Sequence, residues 1–396
     1  MLQVMNNGVM IMNNISENSK LKQYFNKNIN TIVLVGALIV LAIILSFSTN
    51  GIFTSFRNLS NLFRQMAVVT IVGSGIFMVI LGGNIDLSVG SLVGLLGGIG
   101  AVAMARWGWE TVPAILLMVF VGIVAGSFHG FLVSIVKVPA FIVTLGGYMA
   151  YKGLLIRVTN GATISNLNPS FAVIGQGYLS NVGGWIFAVA LIALYIFLTL
   201  RKRKIRAIYN LENPNIAVMV AKIVILAALL IGFILLMNSY EGIPIPVMIM
   251  LGAVAGITII AEKTSYGRSV YAMGGNREAA RYSGINIKRV AFITFIISGL
   301  MASIGSIVYT ARLNAATTQA GYLLEMDAIA AVVIGGTSLA GGVGRASKVI
   351  LGAALMATID NGMSLINLQS EWQMVVKGAV LVLAVTMDVL SNRKRV

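Results

Sequence analysis

One polar segment stands between long apolar runs in this chain. Residues 265–285 read SYGRSVYAMGGNREAARYSGI, with apolar runs on both sides at 244–262 and 290–311. Asn276 can cap a short helix, and Gly284 would end that helix by adopting a left-handed conformation. This short surface helix predicts a place where another protein docks; the alternative is a solvated basic loop. The candidate docking residues are Asn276, Arg277, Glu278, Ala279, Ala280, Arg281, Ser283 and Gly284.

The composition indicates a membrane protein. Hydrophobic residues make up 58% of the chain and charged residues 10%, and mean hydropathy is +0.92, whereas soluble domains carry about 25% charged residues. The absence of cysteine excludes a disulfide framework and a thiolate metal site, and the single histidine, His129, argues against a His-rich site. We therefore predict no metal and no cofactor. The net charge of +16 comes from short basic clusters between apolar runs, which favours membrane orientation over nucleic-acid binding.

Twelve apolar runs approach the roughly 20 residues that a membrane crossing needs. The first is interpreted as a retained span, because no Ala-x-Ala type of cleavage pattern follows it. We predict an all-α polytopic membrane protein of about 12 spans, with a range of 10 to 12 because glycines crowd residues 327–366. The runs lie at 31–49, 66–84, 86–105, 112–135, 139–157, 184–200, 217–237, 244–262, 290–311, 327–344, 347–366 and 373–390.

The basic residues predict the orientation of the chain. With the N-terminus inside, 21 of the 28 Lys and Arg residues fall on the cytosolic face, and the reverse orientation would invert that bias. Both termini are therefore predicted to be cytosolic. The resulting organisation is a cytosolic tail at 1–30 and a single transmembrane domain at 31–396. Within that domain, an Asn-, Ser- and Gly-rich outer loop lies at 158–183 and a cytosolic loop at 263–289.

Three aspartates lie within or beside apolar runs: Asp86, Asp327 and Asp360. An aspartate at bilayer depth costs about 2.5–3.5 kcal/mol, so it usually faces protein or water. Asp86 either caps the helix that follows it, by accepting an N–H bond from Ser88 or its neighbour, or lines a path for a hydroxyl-rich solute. Asp327 has the same two interpretations. The candidate translocation-path residues are Asn84, Asp86, Ser88, Asp327 and Thr337.

Two polar entries into apolar runs echo each other. Residues 84–91 open one predicted span and residues 325–330 open another, and the two would enter the membrane from opposite faces. An inverted repeat would produce this arrangement, and chance similarity between glycine-rich helix starts is the alternative. No Gly-Lys pair occurs in the chain, so the phosphate-binding Walker A motif is excluded. Energy from ATP would therefore have to enter through another protein.

Three segments together resemble a known family: residues 82–91, 266–285 and 325–342. They are similar to the permease subunit of bacterial sugar ABC importers of the ribose/xylose/galactose group, and the similarity runs from about residue 50 to the C-terminus. The resemblance implies a multi-pass protein of the bacterial cytoplasmic membrane that performs no catalysis itself. It also implies a homodimer in the lipid bilayer, a cytosolic ATP-binding subunit and an extracytoplasmic sugar-binding protein. Residues 276–284 would then be the coupling helix.

The resemblance is greatest to the xylose-transporting branch. Residues 201–240 carry a basic cluster and a pair of spans that shorter ribose-type members lack, and residues 360–364 also resemble that branch. D-xylose is therefore the expected solute, with ribose, galactose or another small solute as alternatives. A different class, an ion-coupled secondary transporter, could use the intramembrane carboxylates but would make no special use of Glu278. A membrane anchor or receptor would not need the paired glycine-rich entries.

Overall fold

The computed structural model describes residues 31–393, with side chains described for 31–390. The predicted cytosolic tail at 1–30 lies outside this part of the chain, as do residues 394–396. Fifteen α-helices make up most of the described part. They are α1 Thr31–Ser48, α2 Phe56–Leu81, α3 Val89–Ala105, α4 Thr111–Phe131, α5 Ala140–Thr159, α6 Pro169–Gln176, α7 Asn181–Ile208, α8 Ile216–Asn238, α9 Ile245–Lys263, α10 Ser265–Gly275, α11 Arg277–Tyr282, α12 Ile287–Leu313, α13 Leu324–Ile334, α14 Val349–Leu365 and α15 Ser370–Arg393.

Within residues 31–393, nine helices are long and apolar enough to cross a membrane. The chain is therefore an all-α polytopic membrane protein. Two further predicted spans correspond to the 17-residue helices α3 and α14. The predicted span at 327–344 is wrong as a single helix, because α13 has 11 residues and reaches about 16 Å of a roughly 30 Å hydrocarbon core. Gly336, Gly341 and Gly342 follow with positive φ, so the chain continues as a loop to residue 345.

The centre of the fold is the pair of α2 and α12. Within the 18-residue apolar window of each helix, 89% of the window is buried in α2 and 72% in α12, whereas only 6% is buried in α8 and in α15. Gly75 of α2 allows the close approach, because a methyl group there would stand 2.8 Å from Cβ of Met301 in α12. At the periphery, α7 and α8 pair with each other. Their apolar outer faces are exposed, as a lipid environment permits. The 201–240 segment takes the last turns of α7 and the whole of α8, so it holds one complete helix rather than the predicted pair of spans.

Helices α3 and α13 begin at the same place and run in opposite directions. The second residue of α3, Gly90, contacts the second residue of α13, Glu325. The contact is so close that a methyl group on Gly90 would overlap the Glu325 carboxylate. Along α12, Ser298 contacts Asp86 and Ser306 contacts Val93, so α3 runs parallel to α12. Helix α13 instead runs parallel to α2, and α2 is antiparallel to α12. Helices α3 and α13 therefore point in opposite directions. An inverted repeat would place two helix starts in this opposed arrangement.

The 158–183 segment is more ordered than its Asn- and Gly-rich sequence predicts. Strand β1, Ile164–Ser165, pairs with β4, Ala315–Ala316, and β2, Tyr178–Leu179, pairs with β3, Ile243–Pro244. Between β1 and β2, α6 buries Phe171 completely and packs on α12. This segment therefore covers the end of the central helix pair, on the side predicted to face outward.

Candidate functional site

Helix α11 is a short surface helix with capped ends. The Asn276 side chain accepts a hydrogen bond from the Ala279 N–H at 2.9 Å, which caps the N-terminus. At the other end, Gly284 has a φ of +83° and its N–H donates to the Arg281 carbonyl oxygen. Ala280 is buried at the back of the helix. The side chains left on the exposed face are mainly Arg277, Glu278, Arg281 and Tyr282.

Helix α10 attaches this surface helix to the bundle. Its N-terminus is capped by Thr264, and the Tyr266 hydroxyl donates to the Val290 carbonyl oxygen at 3.3 Å. Burial raises the pKa of Tyr266, so the phenol keeps the proton that it donates. The Tyr271 hydroxyl donates to the Gly344 carbonyl oxygen at 2.8 Å. Helix α10 is therefore tied both to α12 and to the loop that follows α13.

The three sequence motifs meet in one place, here called the glycine junction: Leu81, Gly83, Gly274, Gly341 and Gly342. The Gly342 N–H donates to the Leu81 carbonyl oxygen at 2.9 Å, which joins the end of α2 to the loop after α13. A methyl group on Gly274 would overlap that carbonyl oxygen, so α10 contacts the same point. Backbone thus packs directly on backbone, which only glycine allows.

The candidate path residue Asp86 lies in a buried polar network. One carboxylate oxygen of Asp86 accepts from the Ser88 hydroxyl at 2.7 Å and from the Ser88 N–H at 3.0 Å. The other accepts from the Ser298 hydroxyl at 3.0 Å. His129 lies 3.4 Å from the Ser88 hydroxyl through Nδ1 and 3.0 Å from the Tyr151 hydroxyl through Nε2. The N–H bond of the helix-capping interpretation is therefore present, within a wider network that joins α4, α5 and α12 to the start of α3.

The other candidate path residues fall in different places. Asn84 lines a cavity of about 610 Å³ beside α11. Thr337 is fully buried against Gly344. Asp327 belongs to an ion cluster: the Lys377 ammonium group lies 2.7 Å from its carboxylate and 2.9 Å from that of Asp360. In this conformation, the structure brings together only Asp86 and Ser88 among the five.

Sequence reasoning missed two charged residues of the buried interior. Lys377 lies within the 373–390 apolar run, and this position could have indicated a partner for Asp327 and Asp360. Glu325 is 2% exposed, and its Oε2 has no hydrogen-bond partner among residues 31–390. It lies where α3 and α13 begin, with its carboxylate against Gly90. The Glu325-x-Asp327 spacing ahead of an apolar run was the available signal.

The fold and the glycine junction define a helical membrane permease with an attached surface helix. The chain belongs to the family described as "Branched-chain amino acid transport system / permease component", whose profile matches residues 58–385. It is 41% identical over 367 residues to the xylose transport system permease protein XylH of Escherichia coli (strain K12), which covers 93% of both chains. The XylH protein of Haemophilus influenzae is also 41% identical, over 93% of this chain and 98% of that protein.

A second group of relatives is more distant. The ribose import permease protein RbsC of Escherichia coli (strain K12) is 32% identical over 91% of this chain and 93% of that protein. No solved structure matches the chain. The predicted resemblance to sugar-transport permeases is confirmed, as is a multi-pass location in the membrane. A permease subunit is a transport component rather than an enzyme.

Proposed function

We propose that this chain is the membrane-spanning permease of an ATP-driven importer that carries D-xylose across the bacterial cytoplasmic membrane. The observation that supports the solute is the higher identity to the xylose permeases, 41%, than to the ribose permease, 32%. Two copies would form the pore, with a cytosolic ATPase subunit bound to each. An extracytoplasmic sugar-binding protein would deliver the solute at the face that includes residues 158–183.

The proposed coupling element is α11, with the residues predicted from the sequence at 276–284. Its exposed side chains are available to a groove in the ATPase, while buried Ala280 packs on the bundle and the Asn276 cap keeps the helix formed. A displacement of α11 would move α10 as well, because Gly275 and Asn276 join the two helices without a loop. Helix α10 contacts the glycine junction, so the movement would reach α2 and the loop after α13. Closure of the ATPases would in this way switch which face of the bundle is open.

The proposed path takes its polar side chains from the two ends of α13 and from the start of α3. Asn84, Asp86 and Ser88 belong to the polar segment that leads into α3, where Asp86 accepts a hydrogen bond from the Ser88 hydroxyl. Asp86 is 3% exposed in this conformation, so it would contact solute only after the bundle rearranges. Asp327 lies in the first turn of α13 and Thr337 follows the end of that helix, and both would line the opposite part of the path.

The test is uptake of labelled pentoses in a strain that carries the complete system and lacks its own permease gene. We expect uptake of D-xylose that unlabelled D-xylose suppresses and D-ribose does not. Glu278→Lys should abolish uptake while membrane insertion stays normal, because it replaces the carboxylate of a docking face that also carries Arg277 and Arg281 with a further cation. Glu212→Lys is the matched control, since it makes the same change in the exposed connection between α7 and α8.

The same strain separates the alternatives. Suppression by D-ribose instead of D-xylose would assign the ribose class. Uptake that survives inactivation of the partner ATPase and depends on an ion gradient would instead establish an ion-coupled transporter. Normal uptake by Glu278→Lys would contradict the coupling role of α11 without altering the assignment of the solute.

A further inference from the structure

The cavity beside α11 lies between the last residues of one membrane-crossing segment and the first residues of another. Its volume is about 610 Å³. The Thr111–Val136 span ends next to it, and Lys137 follows with a φ of +68°. Helix α12 begins at Ile287 on its other side. The cavity is therefore at the boundary of the bilayer, on the face that the positive charges predict to be cytosolic.

Charge at this cavity is strongly one-sided. Lys137, Arg277, Arg281 and Lys288 line it against one carboxylate, that of Glu278. The 27-residue helix α12 adds the partial positive charge of its N-terminus, since Ile287 and Lys288 are its first residues. These groups together favour an anion with several oxygen acceptors, such as a phosphate group.

A buried hydroxyl at the cavity has no partner of its own. Ser134 lines the cavity and is 3% exposed, and its Oγ makes no hydrogen bond to the part of the chain that is described. Buried hydroxyls normally have a partner, so this hydroxyl is free to donate to an oxygen acceptor bound in the cavity. Ser134 lies in a π-helical turn, Leu132–Val136, of a kind that is frequent at functional sites.

Apolar surface continues from the cavity along the bundle. Val133, Val138 and Ala140 line its wall, and Val136 and Phe141 beside it are more than half exposed. A free phosphate ion would make no use of this surface, whereas the acyl chains of a lipid would cover it. We propose that the cavity binds the phosphate headgroup of an anionic phospholipid, which would hold α11 against the membrane ends of α4 and α12.

The test uses the purified full-length chain and measures bound lipid by native mass spectrometry. Phosphatidylglycerol is compared with phosphatidylcholine of the same acyl chains. We expect one retained phosphatidylglycerol per chain. Lys137→Gln and Lys288→Gln should each weaken its binding about fivefold, and the double variant about 30-fold. The double Lys→Arg variant should retain binding, and so should Lys202→Gln, which removes an exposed lysine from α7.

Three outcomes would overturn the proposal. Equal retention of phosphatidylcholine would show that charge plays no part. Equal weakening by Lys202→Gln would show a diffuse surface effect instead of a site. Inorganic phosphate would be added at about 10 mM, a concentration on the order of the Kd of a weak anion site. Displacement of the lipid at that concentration would show that the cavity binds a soluble anion instead. The measurement needs neither sugar nor ATPase, so its failure would leave the proposed transport function in place.

Discussion

Replacing Lys377 with methionine would leave two buried carboxylates without their shared cation. The ammonium group lies 2.7 Å from Asp327 and 2.9 Å from Asp360, and the Asp327 side chain is 6% exposed. Removing one partner of a buried ion pair costs about 3–5 kcal/mol. Asp360 is 26% exposed, so water can solvate part of its charge. We therefore expect a loss of about 3 kcal/mol in the free energy of unfolding, at the low end of that range.

The assay is unfolding by SDS in mixed micelles, followed by tryptophan fluorescence. The variant Lys377→Met/Asp327→Asn/Asp360→Asn removes all three charges and should recover stability to within about 1 kcal/mol, because an uncharged cluster leaves no unpaired ion. Lys263→Met, at an exposed lysine, is the control. A single Lys377→Met variant as stable as the control would refute the reasoning. Xylose uptake by the triple variant would also argue against an ion-coupled mechanism through these carboxylates.

Three further substitutions test the helix contacts, each with a matched control. Gly274→Ala should abolish uptake with insertion intact, because the added methyl overlaps backbone at the glycine junction; Gly275→Ala meets nothing within 4 Å and should transport normally. Asn276→Ala should weaken ATPase binding and reduce uptake, because it removes a helix cap that contributes about 1 kcal/mol to the stability of α11. Asn276→Ser keeps a capping side chain and should preserve both. Gly90→Ala should lower the melting temperature through overlap with a carboxylate, whereas Gly146→Ala, in open space, should not.

Features that depend on local chemistry could be predicted from the sequence. Asn276 and Gly284 define the ends of α11 in the structure as their side-chain and backbone preferences predict. The apolar runs likewise correspond to helices, because a segment in lipid must satisfy its backbone hydrogen bonds internally. The exception, residues 327–344, fails for a physical reason: the positive φ angles of its glycines end the helix, and hydropathy alone does not detect them.

Features that depend on tertiary contact could not be predicted in the same way. Hydropathy places Lys377 in a span and Asp360 near the end of another, but it does not say that α13, α14 and α15 bring them within 3 Å of each other. The contact of Asp86 with α12 could not be predicted either, because Ser298 lies 212 residues away in sequence. In the structure one carboxylate serves both the start of α3 and its attachment to α12.

The opposite directions of α3 and α13 give the glycine junction a mechanical consequence. Both helices are anchored at their N-termini, where Gly90 meets Glu325, and α13 leads directly into the loop that contacts α10. A pull on that loop therefore acts along α13 toward the start of α3. In the proposed mechanism this 11-residue helix would carry the displacement, and because it packs on α2 and α14, those helices would have to adjust with it. The contact between Gly90 and Glu325 is the fixed end of α13, so the rearrangement is expected to be larger at the loop after α13 than at the start of α3.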